Sequence, residues 1–208
     1  MTSRPRVAVL DYGIGNLRSA QKALEKVGAD AQLTNSATHA AAADAVVLPG
    51  VGAFGACMDA LRSAGLESVV HDSVARKVPF LGICVGMQML FDRSEEDPDA
   101  TGLGVIPGVV RWIPDTVQRP QMQWNQINIV APDPMFSDLA KHPWMYFVHS
   151  LHGVPTNPST IAATVEYGAT LNVAFRQDNV FATQFHPEKS ATAGLALLEN
   201  FVRIAGGS

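Results

Sequence analysis

Cysteine is scarce in this chain of 208 residues: Cys57 and Cys84 are the only two, and no C-x-x-C spacing joins them. That scarcity argues against a disulfide framework of the secreted kind and against a structural zinc site. Charge is sparse as well. Charged residues make up 16% of the chain, and 15 Lys and Arg against 19 Asp and Glu give a formal net charge of −4. No basic block stands out, so nucleic acid is not an expected ligand. Long apolar runs are missing too. None approaches a membrane span, and the run at 7–10, ended by Asp11, is too short for the core of a signal peptide. These absences point to a reduced, cytoplasmic enzyme or binding domain with no membrane association.

Apolar residues make up 47% of the chain, an ordinary globular share. The length suits a single domain over 1–208 with a sizeable core. The first half alternates short apolar runs with helix-like stretches. Residues 7–10, 45–48 and 80–83 read as buried strands, the second stopped by Pro49-Gly50. Leu17, Ala20, Leu24 and Val27 recur at helical spacing, with Asn16 placed as the cap and Gly28 as the stop. A helix is expected over 86–91. This alternation predicts an α/β fold with a central, mostly parallel mixed sheet flanked by helices. In the second half, Glu95-Glu96-Asp97-Pro98-Asp99 reads as a solvated acidic loop. Strands are expected near 109–113, 126–130 and 145–148, a hairpin around Gln177-Asp178-Asn179, and a last helix over 191–204.

The sharpest local signal is Gly82-Ile83-Cys84-Val85-Gly86, between a strand and a helix. It is the thiol counterpart of the G-x-S-x-G nucleophile elbow. A nucleophile on a tight turn needs small neighbours two residues away, and Gly82 and Gly86 supply them. The helix starting there directs its positive end at Cys84, which favours the reactive thiolate. Taken alone, Cys84 also reads as an inert buried residue, and Cys57 is assigned to the core on that ground.

A thiolate needs an acid/base partner, and Gln184-Phe185-His186-Pro187-Glu188 offers one. Pro187 favours an extended path, in which His186 and Glu188 point the same way. Glu188 then orients the imidazole while His186 passes a proton. By itself the run describes a surface ion pair equally well. The Val85 amide supplies one oxyanion donor. The loop Pro49-Gly50-Val51-Gly52-Ala53-Phe54 is placed to supply another from Gly50, Val51 or Gly52. Asp11 to Arg18 imitates a dinucleotide fingerprint, but Arg18 stands where its last glycine belongs, so no NAD is expected. His149 and His152 have nothing nearby to complete a metal set, and neither metal nor cofactor is expected.

Together, the Pro49–Phe54 loop, the Gly82-to-Gln88 elbow and Phe185-His186-Pro187-Glu188-Lys189-Ser190 resemble the class I glutamine amidotransferases. Within that family, Pro-Gly-Val-Gly at 49–52, Met122-Trp124-Asn125, Tyr146-Phe147-Val148-His149-Ser150 and Tyr12-Gly15-Asn16 resemble the glutaminase subunits of imidazole glycerol phosphate synthases. The resemblance implies hydrolysis of glutamine to glutamate and ammonia by Cys84, His186 and Glu188. It implies that Gly52, Gln88, His149, Ser150 and Leu151 hold glutamine. It also implies a heterodimer with a (β/α)8-barrel cyclase, which takes the ammonia in histidine biosynthesis. Asn16, Met122, Trp124, Asn125 and Lys189 would then face that partner and the ammonia exit. A glutaminase serving another synthase, or a non-catalytic domain on the same fold, are the alternatives. The sequence departs from the family's usual Pro-His-Met-Gly-Trp-Asn at Gln121 and Gln123, and Gln123 is expected to be strained if the usual glycine has positive φ.

Overall fold

The computed structural model describes residues 4–207. Positions 1–3 and 208 of the expected 1–208 unit lie outside the described residues. The first half runs β1 (Arg6–Leu10), α1 (Leu17–Lys26), β2 (Asp30–Thr34), α2 (Ala37–Ala41), β3 (Ala45–Gly50), α3 (Phe54–Ser63), α4 (Glu67–Ala75), β4 (Phe80–Cys84) and α5 (Val85–Gln88). The second half runs β5 (Phe91–Ser94), β6 (Asp97–Thr101), β7 (Ile106–Trp112), β8 (Gln121–Ile129), β9 (Trp144–His149), β10 (Leu151–Pro155), β11 (Ile161–Glu166), β12 (Thr170–Gln177), β13 (Val180–Thr183) and α6 (Ala191–Ala205).

A nine-stranded mixed sheet has the order β2-β1-β3-β4-β13-β12-β11-β8-β9. From β2 to β13 every neighbour is parallel, and from β13 to β9 every neighbour is antiparallel. The parallel half is made of near-continuous apolar runs, buried throughout in β3 and β4, as strands covered on both faces require. A second sheet, β10-β7-β5-β6, packs beside the first. The two sheets meet where Phe91 and Phe175 stand edge to face, their centroids 5.2 Å apart. Gly153 makes that contact possible, because a Cβ there would lie 2.4 Å from Phe91 and 2.7 Å from Phe175.

Three local expectations change. The helix expected over 86–91 is a single turn, Val85–Gln88, and Phe91 opens a strand. An unbroken apolar run such as Met89-Leu90-Phe91, buried on all sides, carries no period to separate helix from strand. The acidic run at 95–99 is the turn and second strand of the β5–β6 hairpin rather than a free loop. β3 does not stop at Pro49-Gly50 but passes through both. Its pairing with β1 ends at Val47, so the N–H that Pro49 lacks leaves no ladder bond unmade.

The active end of the sheet follows from register. In the parallel β4–β13 pair, Ile83 lies opposite Thr183, and on the other flank Cys84 lies opposite Gly50 of β3. Three chains therefore leave the carboxyl edge together: the elbow in the middle, the glycine loop on one side and the segment 184–190 on the other. Crevices at this edge are where open α/β sheets bind ligands.

Candidate active site

Cys84 has φ 56° and ψ −115°, a conformation that side chains adopt only when their surroundings enforce it. The enforcement comes from backbone packing. A Cβ on Gly86 would lie 1.9 Å from the Leu48 carbonyl oxygen, and one on Gly50 would lie 2.5 Å from the Gly86 nitrogen. A Cβ on Gly82 would lie 2.9 Å from the Leu90 side chain and 3.1 Å from the Met87 backbone. The elbow is thus pressed onto the end of β3. With α5 only four residues long, the helix dipole contributes little to a thiolate, and neighbouring side chains matter more.

His186 and Glu188 are both buried, with side chains 3% and 4% exposed, and His186 Nδ1 is 2.8 Å from Glu188 Oε1. The path between them is not the extended one expected: Pro187–Lys189 forms a 3-10 turn. Proline suits the first position of such a turn, and Ser190 Oγ fastens it by donating to the His186 carbonyl at 2.6 Å. Burial alone would lower the His186 pKa. Contact with Cys84 and then with Glu188 outweighs that, and the imidazole is pushed up to about 10. His186 Nε2 meets no hydrogen-bond partner among the described residues, and His186 lines the same cavity as Cys84.

The cavity beside Cys84 is about 250 Å³ and is lined by Val51, Gly52, Val85, Gln88, Ser150 and Leu151 among others. Gly50 stands behind them in β3, paired with Cys84. Gln88 is buried and directs its amide nitrogen to Gln184 Oε1 at 3.0 Å. His149 also lines the cavity, but both of its ring nitrogens are engaged, 2.7 Å from the Leu151 carbonyl and 2.7 Å from Gln121 Oε1. Burial lowers its pKa to about 4. A neutral ring donating to Leu151 must accept at its other nitrogen, so the Gln121 amide is turned to present N–H. His149 therefore forms wall and scaffold.

The loop after β3 is anchored on its core side. The Tyr12 hydroxyl donates to the Pro49 carbonyl at 2.6 Å, and Cys57 Sγ donates to the Val51 carbonyl at 3.2 Å. In a trans peptide C=O and N–H point in opposite directions, so tying Val51 O into the core turns the Gly52 N–H away from it.

Sequence reasoning passed over Glu96, which lines the cavity and accepts the Phe54 N–H at 2.8 Å. It also gave no role to Gln184, fully buried against Cys84. Neither has a signal in spacing alone. Of the expected partner-facing residues, Met122 and Trp124 are 62% and 44% exposed. Asn16 and Lys189 are exposed, and Lys189 reaches the cavity rim. Asn16 holds the cap position of α1, but its side chain accepts from Ser19 Oγ rather than from a helix N–H. Asn125 is tied down by donating to the Glu166 carbonyl. Gln123 is unstrained: it pairs with Phe147 in regular β8 and has no positive φ.

The profile for "Glutamine amidotransferase class-I" matches residues 8–205. A protein of Salinibacter ruber described as "Imidazole glycerol phosphate synthase subunit HisH" is 46% identical over 94% of this chain and 93% of its own length. One of the same description from Syntrophotalea carbinolica is 48% identical over 94% and 98%. A solved structure titled "Crystal structure of glutamine amidotransferase" superposes with TM-score 0.76 at 23% identity, covering 96% of this chain and 98% of that one, which speaks for the fold alone. The chain belongs to the class I glutamine amidotransferase family.

Proposed function

We propose that this chain is the glutaminase subunit of an imidazole glycerol phosphate synthase, and that Cys84, His186 and Glu188 release ammonia from glutamine. The observation that carries the reading is a buried His186–Glu188 pair whose imidazole lines the same cavity, of about 250 Å³, as a cysteine on a strained elbow. Cys84 sulfur attacks the side-chain carboxamide carbon. The developing oxyanion is met by the Val85 N–H and by an amide of the loop, for which Gly52 is best aimed and Gly50 and Val51 are neighbours. His186, already carrying a proton, gives it to the departing ammonia and leaves a glutamyl thioester. Water, deprotonated by His186, then cleaves the thioester to glutamate. Glu188 keeps the imidazole oriented through both steps.

Recognition of glutamine follows from the wall chemistry. Gln88 keeps its amide oxygen for a substrate N–H, Glu96 offers a carboxylate to the α-ammonium group, and the backbone at Ser150 and Leu151 suits the α-carboxylate.

The ammonia acceptor is a cyclase subunit with a (β/α)8 barrel, joined in a heterodimer that makes imidazole glycerol phosphate and aminoimidazole carboxamide ribonucleotide in histidine biosynthesis. Support comes from the relatives' descriptions and from an apolar face at the end of the sheet. Met122 and Trp124 of β8 lie opposite Val148 and Tyr146 of β9, so all four share one face. Trp144, 53% exposed, extends it. Exposed apolar area of this kind marks an interaction site. The reading assigns Asn16 and Lys189, both exposed, to the same partner-facing end. Among the described residues no helix is long and apolar enough to cross a membrane, which suits a cytoplasmic biosynthetic enzyme. The test is to mix the chain with the candidate cyclase and its nucleotide and follow glutamine-dependent imidazole glycerol phosphate. Product that requires both subunits and vanishes in Cys84→Ala supports the proposal. A Cys84→Ala chain that still turns over glutamine, or a pair that yields product only from added ammonium, overturns it.

A further inference from the structure

We infer that Gln184 is a positioning residue for the nucleophile: gripped by Gln88 through its amide oxygen, it aims an amide N–H at Cys84 Sγ. The inference rests on the reading of Cys84 as nucleophile and deepens it. Gln184 has no exposed surface, so its amide must find partners inside the protein. Gln88 Nε2 donates to Gln184 Oε1 at 3.0 Å, and Gln184 Nε2 lies 3.8 Å from Cys84 Sγ, within the longer reach of a hydrogen bond to sulfur. The placement is built into the sheet. Thr183 and Ile83 are in register on parallel strands, so the residues after them, Gln184 and Cys84, emerge side by side. The Gln184 backbone is fixed by its own N–H donating to the Val173 carbonyl at 2.8 Å.

The orientation of the amide matters. With Oε1 occupied by Gln88, the end facing sulfur is a donor, and a donor stabilises a thiolate rather than a thiol. The other ionisable groups around the sulfur come from several elements. His186, backed by Glu188, lies on one side; Tyr12 and Cys57 approach from the core; Glu96, His149 and Lys189 line the cavity. His186, protonated well above its ordinary range, needs an anion beside it, which agrees with an N–H aimed at the sulfur. The chain from Gln88 through Gln184 to Cys84 also joins the wall that meets substrate to the atom that attacks it. A hydrogen bond made to Gln88 Oε1 polarises the whole series.

The experiment is the pH profile of Cys84 alkylation by iodoacetamide in the full chain, with the modified residue located by peptide mass spectrometry. Gln184→Met removes the donor at similar length, and Gln184→Glu keeps the shape but replaces the donor with a negative charge. Loss of one charge-assisted hydrogen bond is expected to move the profile up by about one pH unit, with roughly tenfold slower alkylation on its acid side. Gln184→Glu is expected to move it at least as far. Packing alone does not shift the profile, so unchanged profiles in whichever variants keep the parent circular dichroism spectrum overturn the role of Gln184. Should Gln184→Met not fold, Gln184→Glu decides, and failure of both to yield native protein counts as a purely structural role. These outcomes are separable from the catalytic proposal, which fails if Cys84→Ala retains ammonia release or if the paired subunits form product only from added ammonium.

Discussion

Glu96 Oε2 accepts the Phe54 N–H at 2.8 Å, and this single bond ties the β5–β6 hairpin to the first turn of α3, directly after the glycine loop. A carboxylate at a helix start satisfies an otherwise unpaired N–H and the helix dipole together. The same side chain reaches the cavity. Glu96→Ala is expected to lose about 1 kcal/mol of stability and to raise KM for glutamine by roughly tenfold or more, the order of one charge-assisted hydrogen bond. Glu96→Gln separates the effects: it keeps an acceptor for Phe54, and so most of the stability, while KM still rises. Urea unfolding and steady-state glutaminase kinetics on the same preparations check both.

Gly86 tolerates no side chain. A Cβ there would meet the Leu48 carbonyl oxygen at 1.9 Å, and the obstacle is strand backbone, which cannot swing aside. Gly86→Ala is expected to destabilise the fold by about 3 kcal/mol, as overpacking in a rigid core does, and to disrupt the Cys84 turn. Gly52→Ala is a useful contrast, because nothing lies within 4 Å of its Cβ position although its φ is +94°. It is expected to cost less stability but to disturb the loop proposed to carry the oxyanion donor. Thermal unfolding together with ammonia release distinguishes a damaged fold from a damaged loop.

The elbow, the His-Pro-Glu run and the parallel strands were readable because each is local. Glycines two residues either side of Cys84, and unbroken apolar runs between turn residues, are statements about neighbours along the chain. What was missed depends on register. Nothing near Gln184 in sequence says that β13 lies beside β4 with Thr183 opposite Ile83, so its contact with Cys84 was invisible. Glu96 read as solvent-facing because acidic runs usually are, and only the hairpin folding back onto α3 brings it inside. The path between His186 and Glu188 also differs from the extended one that Pro187 suggests. Pro187 starts a 3-10 turn instead of extending the chain, since proline's fixed φ suits both and the Ser190 hydroxyl on the His186 carbonyl decides between them.

His186 gives the site a pH signature in stability. Its pKa is raised from 6.5 to about 10 in the folded chain. A group raised on folding contributes stability that is fully present below its unfolded value and is lost as pH climbs through the folded value. The parent chain is therefore expected to lose stability relative to His186→Gln as pH rises from 6.5 towards 10. Denaturant unfolding of both proteins across that range measures the difference directly. A gap that stays constant with pH would mean the imidazole is not held protonated by Cys84 and Glu188.

Cys57 and Cys84 differ in what their sulfurs do. Cys57 is fully buried in α3 and donates to the Val51 carbonyl at 3.2 Å, so it acts on the loop and not on substrate. Cys84→Ala is expected to abolish ammonia release while leaving the fold intact. Cys57→Ala removes one weak hydrogen bond and a buried sulfur, and is expected to lose about 1–2 kcal/mol of stability. It also frees the peptide between Val51 and Gly52 to turn over. That peptide presents either its carbonyl or its N–H to the cavity, and only the N–H stabilises an oxyanion. The expected result is a several-fold fall in kcat with little change in KM, because the lost interaction is strongest in the transition state. Steady-state kinetics of Cys57→Ala decide the matter: a rise in KM at constant kcat would assign Cys57 to the glutamine-binding wall instead of the oxyanion loop.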